Sequence, residues 1–588
     1  MRCVRDRTLL LLVALFILTR MALLLFGFHD LTQFEELYNG TVARELVRGP
    51  CLSLSQLRYV EYQSGSLIMS FLIIPFFALF GDTWFALKLV ALLFSAATLT
   101  VFYLILRVNY SRAAAFWGGL LFVFPPRIFA LLNLKAEGAN SQAIFFTMAA
   151  WCLFLRYLRR TRGAATGGDG PERSTPGLGE AFVLGSLLSF GIWFCPVVVL
   201  ATGCILLVWF AADKFFILTP GFLCALGGFS LGAVPAVMDY AQNNFAGMKY
   251  LSSKPIHGRT GSLVGNLAEL WGPGLLHSFS FLRVGPVPGA ALNWCWYLLA
   301  ILSLSAFMAL FWRHIFSFLC AAAALRTRRA ASFESLRDAS LLLSIAAFSA
   351  SYAATKFHIE ATSLPIHNYR YLVSLYPFLF MVIAVVAEGL HPRPRRFARG
   401  VLVTTVCVGA LGIAASLSPV RFGEGLRLKG YSYEMLGLRM YENFRGDADR
   451  VFTLVQEKIP ERDDREVCKM VYANLLVEEW LSACGDRAIT PVLRRIGGVA
   501  EQWRRYFYCS LGATLYGRYQ ATEDLPAWQA HLMGVDELNL GFCYLGLGSI
   551  VNEIAPGDVE TRRRFTERVP PRYRRAFLMG LRLKYRSI

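Results

Sequence analysis

Charge is what this chain most lacks. Only 17% of its 588 residues are Asp, Glu, Lys or Arg, against 55% hydrophobic and 14% aromatic. That is too little to coat the surfaces of several soluble domains, so a soluble multidomain enzyme is excluded. Acidic residues are the scarcer sign: 40 Asp and Glu stand against 59 Lys and Arg, a net charge of +19. Such an excess fits either a nucleic-acid partner or the inner-side cations and lipid attraction of membrane proteins. The hydropathy decides for the membrane, and no nucleic-acid partner is expected. Metal-type cysteine spacing is missing as well. The 13 cysteines form no Cys-x-x-Cys or Cys/His ligand pattern, and most lie in apolar runs where a thiol behaves as a small hydrophobe, which excludes a structural zinc site. No Gly-x-x-x-x-Gly-Lys cradle occurs; 163–179 is a Gly/Pro-rich basic linker, so a nucleotide donor is not expected.

What is present is a series of apolar runs. A bilayer core takes about 20 apolar residues as helix, and eleven runs meet or approach that length, near 8–28, 84–106, 113–130, 141–158, 180–196, 197–212, 215–237, 293–311, 339–355, 371–389 and 400–418. The first follows Arg2, Arg5 and Arg7 and ends in Phe26-Gly27-Phe28-His29-Asp30 without a small-residue cleavage site, so it is read as a span and not as a signal peptide. With the N-terminus cytoplasmic, Arg107, Arg112 and the cluster Arg156, Arg159, Arg160 and Arg162 fall inside, as the positive-inside rule asks. The stretch 66–80 is apolar but short and contains Pro75, and reads as an interfacial or half-inserted helix. Counting it as a span would put those clusters on the wrong side.

Eleven crossings leave everything after about Pro419 outside the cytoplasm, where the sequence turns charged and rich in Tyr and Trp. Two domains are therefore expected: a membrane core over 1–419, with outer loops at 29–83 and 239–292, and an extracytoplasmic helical domain over 420–588. In the second, Tyr508-Cys509-Ser510-Leu511-Gly512 returns as Phe542-Cys543-Tyr544-Leu545-Gly546 and as Ala576-Phe577-Leu578-Met579-Gly580, so the glycines recur every 34 residues. That period predicts a tetratricopeptide-like α-solenoid, with a plain helical bundle as the alternative. Cys468, Cys484, Cys509 and Cys543 lie where disulfides can form; Cys509 and Cys543, in equivalent places of consecutive repeats, read as packing residues instead.

Chemistry in a membrane protein gathers where ionisable groups meet the bilayer boundary. The richest outer loop reads Phe34-Glu35-Glu36-Leu37-Tyr38-Asn39-Gly40-Thr41-Val42-Ala43-Arg44-Glu45, with apolar residues at helical spacing. Paired carboxylates beside a cavity suit a base that activates a hydroxyl or amine, because burial and a neighbouring charge raise one pKa toward working pH. A solvated acidic helix start explains the same pair. His358, Glu360 and His367 share a second outer loop without diagnostic spacing, so no metal site is assigned and a divalent ion stays undetermined. Lys249, Lys254, His257 and Arg259 in the large outer loop read either as a lid over substrate or as plain loop.

The pattern Glu-Glu-Leu-Tyr-x-x-x-x-Ala-Arg-Glu-Leu-x-x-Gly after the first span resembles the first outer loop of the GT-C membrane glycosyltransferases, in the protein O-mannosyltransferase and aminoarabinose-transferase branch. Three further stretches are similar in the same order. Tyr62-Gln63-Ser64-Gly65-Ser66-Leu67 leads to Leu79-Phe80-Gly81; Phe124-Pro125-Pro126 leads through Leu134-Lys135-Ala136-Glu137 to Arg156-Tyr157-Leu158-Arg159; and Asn368-Tyr369-Arg370-Tyr371-Leu372-Val373-Ser374-Leu375-Tyr376-Pro377 opens a late span. The likeness covers roughly 1–390. It departs from the family at two Asp positions, which are Glu here, and at a missing Pro-Pro.

The resemblance implies an all-α polytopic membrane protein with a GT-C-type bundle, transferring a hexose or pentose from a polyprenyl-phosphate carrier to a protein, lipid or glycan acceptor on the outer face, in periplasm or lumen, with inversion. It implies Glu35 as base, Glu36 orienting it or touching the acceptor, and Glu137 as the second carboxylate across the cavity. Arg370 becomes the leading phosphate ligand because guanidinium grips phosphate bidentately, with Lys356, Lys135 and Arg127 behind it and Tyr371, Tyr38 and His358 completing the binding set. No cofactor beyond the lipid-linked donor is implied. Two rivals stay open: a lipid or sugar transporter, and a catalytically inactive scaffold that recruits partners through 420–588.

Overall fold

The computed structural model describes residues 6–27, 34–49, 52–54, 56–58, 63–163, 177–242, 262–279, 288–323, 332–354, 372–390, 392–419, 433–484, 489–519, 525–554 and 558–582. Among them the chain is all-α and falls into two compact units, one of residues 1–39 and 58–430, the other of 40–57 and 431–588.

The first unit opens with α1 (Arg7–Phe26), capped by the Asp6 carboxylate, which accepts the Thr8 N–H. It continues through α2 (Phe34–Arg48, of which the first turn and a half belong to this unit), α3 (Gly65–Phe80), α4 (Trp84–Asn109), α5 (Arg112–Val123), α6 (Arg127–Leu132), α7 (Asn140–Gly163), α8 (Leu178–Phe194), α9 (Val198–Ala212) and α10 (Pro220–Gln242). After the short α11 (Leu263–Glu269) and α12 (Leu275–Ser278) come α13 (Pro288–Ala323), α14 (Phe333–Ala354), α15 (Leu375–Gly389) and α16 (Pro392–Ala414).

Among the described residues, six helices are long and apolar enough to cross a membrane: Arg7–Phe26, Trp84–Asn109, Asn140–Thr161, Pro220–Ala241, Asn293–Ala323 and Pro394–Ala414. The chain is an integral membrane protein. Four other expected spans appear as α5, α8, α9 and α15, apolar but only 10–17 residues long, and the expected span at 339–355 lies within α14. The run read as one span over 113–130 is divided. Pro125 and Pro126 break it after α5, and α6 restarts at Arg127, since proline offers no N–H to continue the ladder. The stretch expected to be interfacial, 66–80, is a continuous helix that buries Met69, Ile73 and Phe77 on one face. Its length of about 24 Å falls short of a bilayer core.

The break after α5 leaves carbonyls without helical partners in a setting that has no water for them. Arg20 of α1 answers this. Fully buried, it donates from Nη1 to the Val123 carbonyl at 3.0 Å and from Nη2 to the Phe122 carbonyl at 3.4 Å, while its guanidinium covers the Phe16 ring at 4.6 Å. Elsewhere small residues bring helices into backbone contact. A Cβ on Gly185 of α8 would lie 1.8 Å from the Ala225 carbonyl oxygen, and one on Gly228 of α10 would lie 1.9 Å from that of Phe182, the close approach that small residues permit between membrane helices.

The second unit takes the C-terminal part of α2 together with α17 (Glu434–Asn443), α18 (Ala448–Lys458), α19 (Arg462–Cys484), α20 (Thr490–Gly497), α21 (Glu501–Tyr519), α22 (Leu525–His531), α23 (Glu537–Ile554), α24 (Val559–Arg568) and α25 (Arg574–Gly580). Short and long helices alternate, and each of α19, α21, α23 and α25 packs on the next. Arg44 donates to Glu461 and, at 3.5 Å, to Asp464; Arg48 reaches Glu461 at 3.3 Å; the Tyr433 hydroxyl donates to Glu45 at 3.1 Å. Burial alone would raise the Glu461 pKa, but the Arg48 hydrogen bond and the Arg44 and Arg48 charges hold it below the ordinary carboxylate value. Cys484, Cys509 and Cys543 are thiols outside any disulfide.

The 34-residue recurrence has a physical cause. A Cβ on Gly512 would sit 2.1 Å from the Cys543 carbonyl oxygen, one on Gly546 1.9 Å from that of Cys509, and one on Gly580 2.0 Å from that of Leu545. Gly512 and Gly546 face each other across the α21–α23 crossing, and Gly580 meets α23 at the next one. Gly546→Ala should therefore force α21 and α23 apart and destabilise this unit by about 1–3 kcal/mol. Gly541→Ala in the same helix meets nothing within 4 Å and should be neutral or slightly stabilising through helix propensity. Hydrogen exchange of 501–519 and 537–554 in the full chain checks the pair; equal protection in both variants would contradict the packing account.

Candidate functional site

Five expected site residues, Glu35, Glu36, Tyr38, Lys135 and Glu137, are buried. Their placement follows from local structure. Glu35 and Glu36 occupy the first turn of α2, where carboxylates are electrostatically favoured. Consecutive helical residues point about 100° apart, so the two carboxylates have different surroundings. Thr83 caps α4 by accepting the Ala86 N–H at 3.1 Å, which starts that helix just before Lys88.

Lys88 is 1% exposed and Glu36 fully buried. The ammonium donates to both carboxylate oxygens, at 2.7 and 2.8 Å, and lies 5.4 Å from the centre of the Trp84 ring. Glu36 Oε2 also accepts the Ala136 N–H at 3.0 Å. One helical turn on, Asn39 Nδ2 donates to the carbonyls of Ala136 at 2.7 Å and Glu137 at 3.1 Å. The N-terminal part of α2 thus holds the turn between α6 and α7 by side chain and backbone at once. That turn is bound from other directions too. Ser95 donates to the Asn133 carbonyl at 2.8 Å, Gln142 Nε2 to the Lys135 carbonyl at 2.7 Å, and the Gly138 N–H to Gln142 Oε1 at 3.1 Å. Gly138 has φ +72°, a conformation glycine adopts without strain, and it abuts Gly65: a Cβ on Gly65 would lie 1.8 Å from the Gly138 carbonyl oxygen.

On this turn Lys135 Nζ stands 3.8 Å from Glu137 Oε1, with both side chains almost fully buried. The result is two carboxylates and two ammoniums from three stretches of chain, gathered in a buried cluster where each charge acts more strongly than in water. A buried ion pair contributes little net stability, and intramembrane ionisable groups are costly, so the arrangement is suited to chemistry more than to folding. Ammonium groups there can accept an anion such as phosphate, and a carboxylate can take a proton from an attacking hydroxyl.

Arg127 stands apart. It opens α6, half-buried, and its Nε donates to Ser416 Oγ at 2.8 Å; the length of α6, about 9 Å, separates it from the Lys135 turn. Arg370, Tyr371, Lys356 and His358 lie outside the described residues, as do Glu360, His367, Lys249, Lys254, His257 and Arg259. Among the described residues there is no group of three or more His, Cys, Asp or Glu that could hold a metal ion.

Sequence reasoning missed Lys88, Asn39 and Gln142. For Lys88 a signal was there: a single lysine in the otherwise apolar opening of a span, and such residues mark functional sites by default. The amides carried none, since only the fold brings them to the 133–138 backbone.

No family model matches the chain, and no curated protein matches it in sequence. Among solved structures it is similar to ArnT from Cupriavidus metallidurans bound to undecaprenyl phosphate, with TM-score 0.43 and 14% identity over 97% of this chain and 84% of that one. The apo state of the same protein gives TM-score 0.40 with the same identity and coverage. The oligosaccharyltransferase of Archaeoglobus fulgidus in the apo form gives TM-score 0.38 and 13% identity over 76% of this chain and 59% of that one. These overlaps are too loose to transfer a residue or an activity.

Proposed function

We propose that this integral membrane protein is an inverting glycosyltransferase of the GT-C type, moving a sugar from a polyprenyl-phosphate carrier to a hydroxyl- or amine-bearing acceptor at the outer face. The observation that carries the reading is the buried meeting of Glu36 with Lys88 and of Lys135 with Glu137 at the turn between α6 and α7. The motif resemblance over 1–390 supports it. The acceptor oxygen or nitrogen attacks the anomeric carbon and gives its proton to Glu35. The bond from that carbon to the phosphate oxygen breaks, and polyprenyl phosphate leaves with the electron pair, needing no proton because it departs as a stable anion. Glu36, held by Lys88, anchors the helix that carries Glu35. Lys135 receives the departing phosphate; Arg370, Lys356, Tyr371, His358 and Tyr38 enter the reading as binding residues through the motif resemblance alone, and Arg127, bonded to Ser416, is left out of it. Glu137 faces the acceptor side. In this reading the N-terminus is cytoplasmic, and 420–588 is an extracytoplasmic tetratricopeptide-like array that recruits an acceptor protein or a neighbouring enzyme through its concave surface.

The inactive-scaffold reading keeps one supporting observation: both Glu36 oxygens are engaged by Lys88. A single experiment separates the two. Purified protein is given radiolabelled polyprenyl-phosphate hexose, and release of polyprenyl phosphate is followed for wild type and Arg370→Ala. Turnover by wild type, with a raised KM for the donor in the variant, supports the transferase. Neither binding nor consumption of carrier-linked sugar by wild type overturns it.

A further inference from the structure

Asp239 lies near the outer end expected for α10, outside every motif that resembles the glycosyltransferases. Its Oδ2 receives three donors: Arg58 Nη1 at 2.5 Å, Ser64 Oγ at 3.0 Å and Trp193 Nε1 at 3.1 Å. Arg58 is buried, Asp239 is only 13% exposed, and Arg58 Nη1 also lies 3.4 Å from Ser64 Oγ. A carboxylate taking a guanidinium, a hydroxyl and an indole N–H on one oxygen is a costly assembly to bury, so what it holds in place is informative.

It holds Ser64. That residue is fixed by its side chain to Asp239 and by its backbone N–H to the Trp193 carbonyl at 3.1 Å. The next residue, Gly65, starts α3 and touches Gly138 backbone to backbone: a Cβ on Gly138 would lie 2.3 Å from the Gly65 carbonyl carbon and oxygen, and 2.5 Å from the Ser66 nitrogen. Gly138 follows Glu137 directly. The turn carrying Lys135 and Glu137 is therefore clamped between α2, through Glu36 and Asn39, and the Ser64–Gly65 corner, through Asp239. Two close-packed backbones leave no slack, so a shift of the corner becomes a shift of Glu137.

We propose that Asp239, with Arg58 and Ser64, is a positioning residue of the transfer reaction, setting the place of Glu137 through the Gly65–Gly138 contact. The inference rests on the transferase reading of the site. Its test uses the full-length protein in nanodiscs with radiolabelled polyprenyl-phosphate hexose, comparing Asp239→Asn, Asp239→Glu, Ser64→Ala and wild type after confirming an unchanged elution volume and thermal midpoint. A displacement of the order of an ångström at a catalytic group costs up to about 100-fold in rate. Asp239→Asn should therefore lose about tenfold or more in kcat with the donor KM unchanged, and the acid limb of its kcat against pH should move, which general loosening would not cause. Asp239→Glu should regain part of the rate. Ser64→Ala, which leaves the Arg58 pair in place, should fall between, and it tests the clamp even if Asp239→Asn does not fold. A folded Asp239→Asn or Ser64→Ala with wild-type kcat and pH profile overturns the inference alone. A wild type that consumes no carrier-linked sugar overturns the transferase reading, and the inference with it.

Discussion

Lys88→Ala is expected to destabilise the membrane unit by about 3–5 kcal/mol, the cost of leaving one partner of a buried ion pair uncompensated. The geometry sets this scale. Glu36 is fully enclosed, takes both its short charge-assisted hydrogen bonds from Lys88, and has the Ala136 N–H as its further donor. With the ammonium gone, the carboxylate must either stay charged in a low-dielectric surround or take up a proton, and in both cases α2 loses the anchor of its first turn. Replacing both members at once, as Glu36→Leu with Lys88→Met, should recover most of the loss, because apolar residues of similar size often substitute for a buried pair without net cost. The coupling from the double-mutant cycle then measures the pair itself. Thermal unfolding of the four proteins in one detergent supplies the comparison. A loss below about 1 kcal/mol for Lys88→Ala, the range of exposed pairs, would mean that the pair is hydrated and that the cluster is not the buried one described.

Much of this architecture could be read from the sequence, and what escaped has identifiable causes. Long apolar runs such as 84–106 and 293–311 became helices because a residue surface that apolar has few alternatives. The break at Pro125–Pro126 was visible as residues, but its consequence needed Arg20, about a hundred positions away, to satisfy the exposed carbonyls. The glycine recurrence at 512, 546 and 580 was legible because two successive helix crossings each need a residue without a side chain. Gly65 and Gly138 meet by the same physics, yet nothing periodic announces a single contact. At the site, Glu35, Glu36, Lys135 and Glu137 could be selected as ionisable groups near outer span ends. Their pairing could not, since Lys88 resembles any lysine snorkelling at a helix start until the fold closes over it. The Arg58–Asp239 pair joins residues far apart in the chain and leaves no local trace.

The second large effect concerns Glu35. It shares the first turn of α2 with Glu36 and is buried, while the ion pair with Lys88 commits its neighbour. If Glu35 takes the acceptor proton, Glu35→Gln keeps the shape and hydrogen-bonding reach of the side chain and removes only the basicity. General-base catalysis contributes about 10²–10⁴ in rate, so kcat should fall by that factor. Binding of the donor should be unchanged, because in the proposed reading Lys135 and Arg370, not Glu35, hold the carrier phosphate. Glu36→Gln, by contrast, should show its main effect in stability, through Lys88, with a smaller effect on rate in whatever fraction remains folded. The measurement that bears most directly on the account is single-turnover release of polyprenyl phosphate from a bound polyprenyl-phosphate hexose, with carrier binding followed in parallel, for wild type and Glu35→Gln. The account predicts a rate reduced by about 10²–10⁴ at unchanged carrier affinity. A folded Glu35→Gln protein that releases the carrier at the wild-type rate would contradict it.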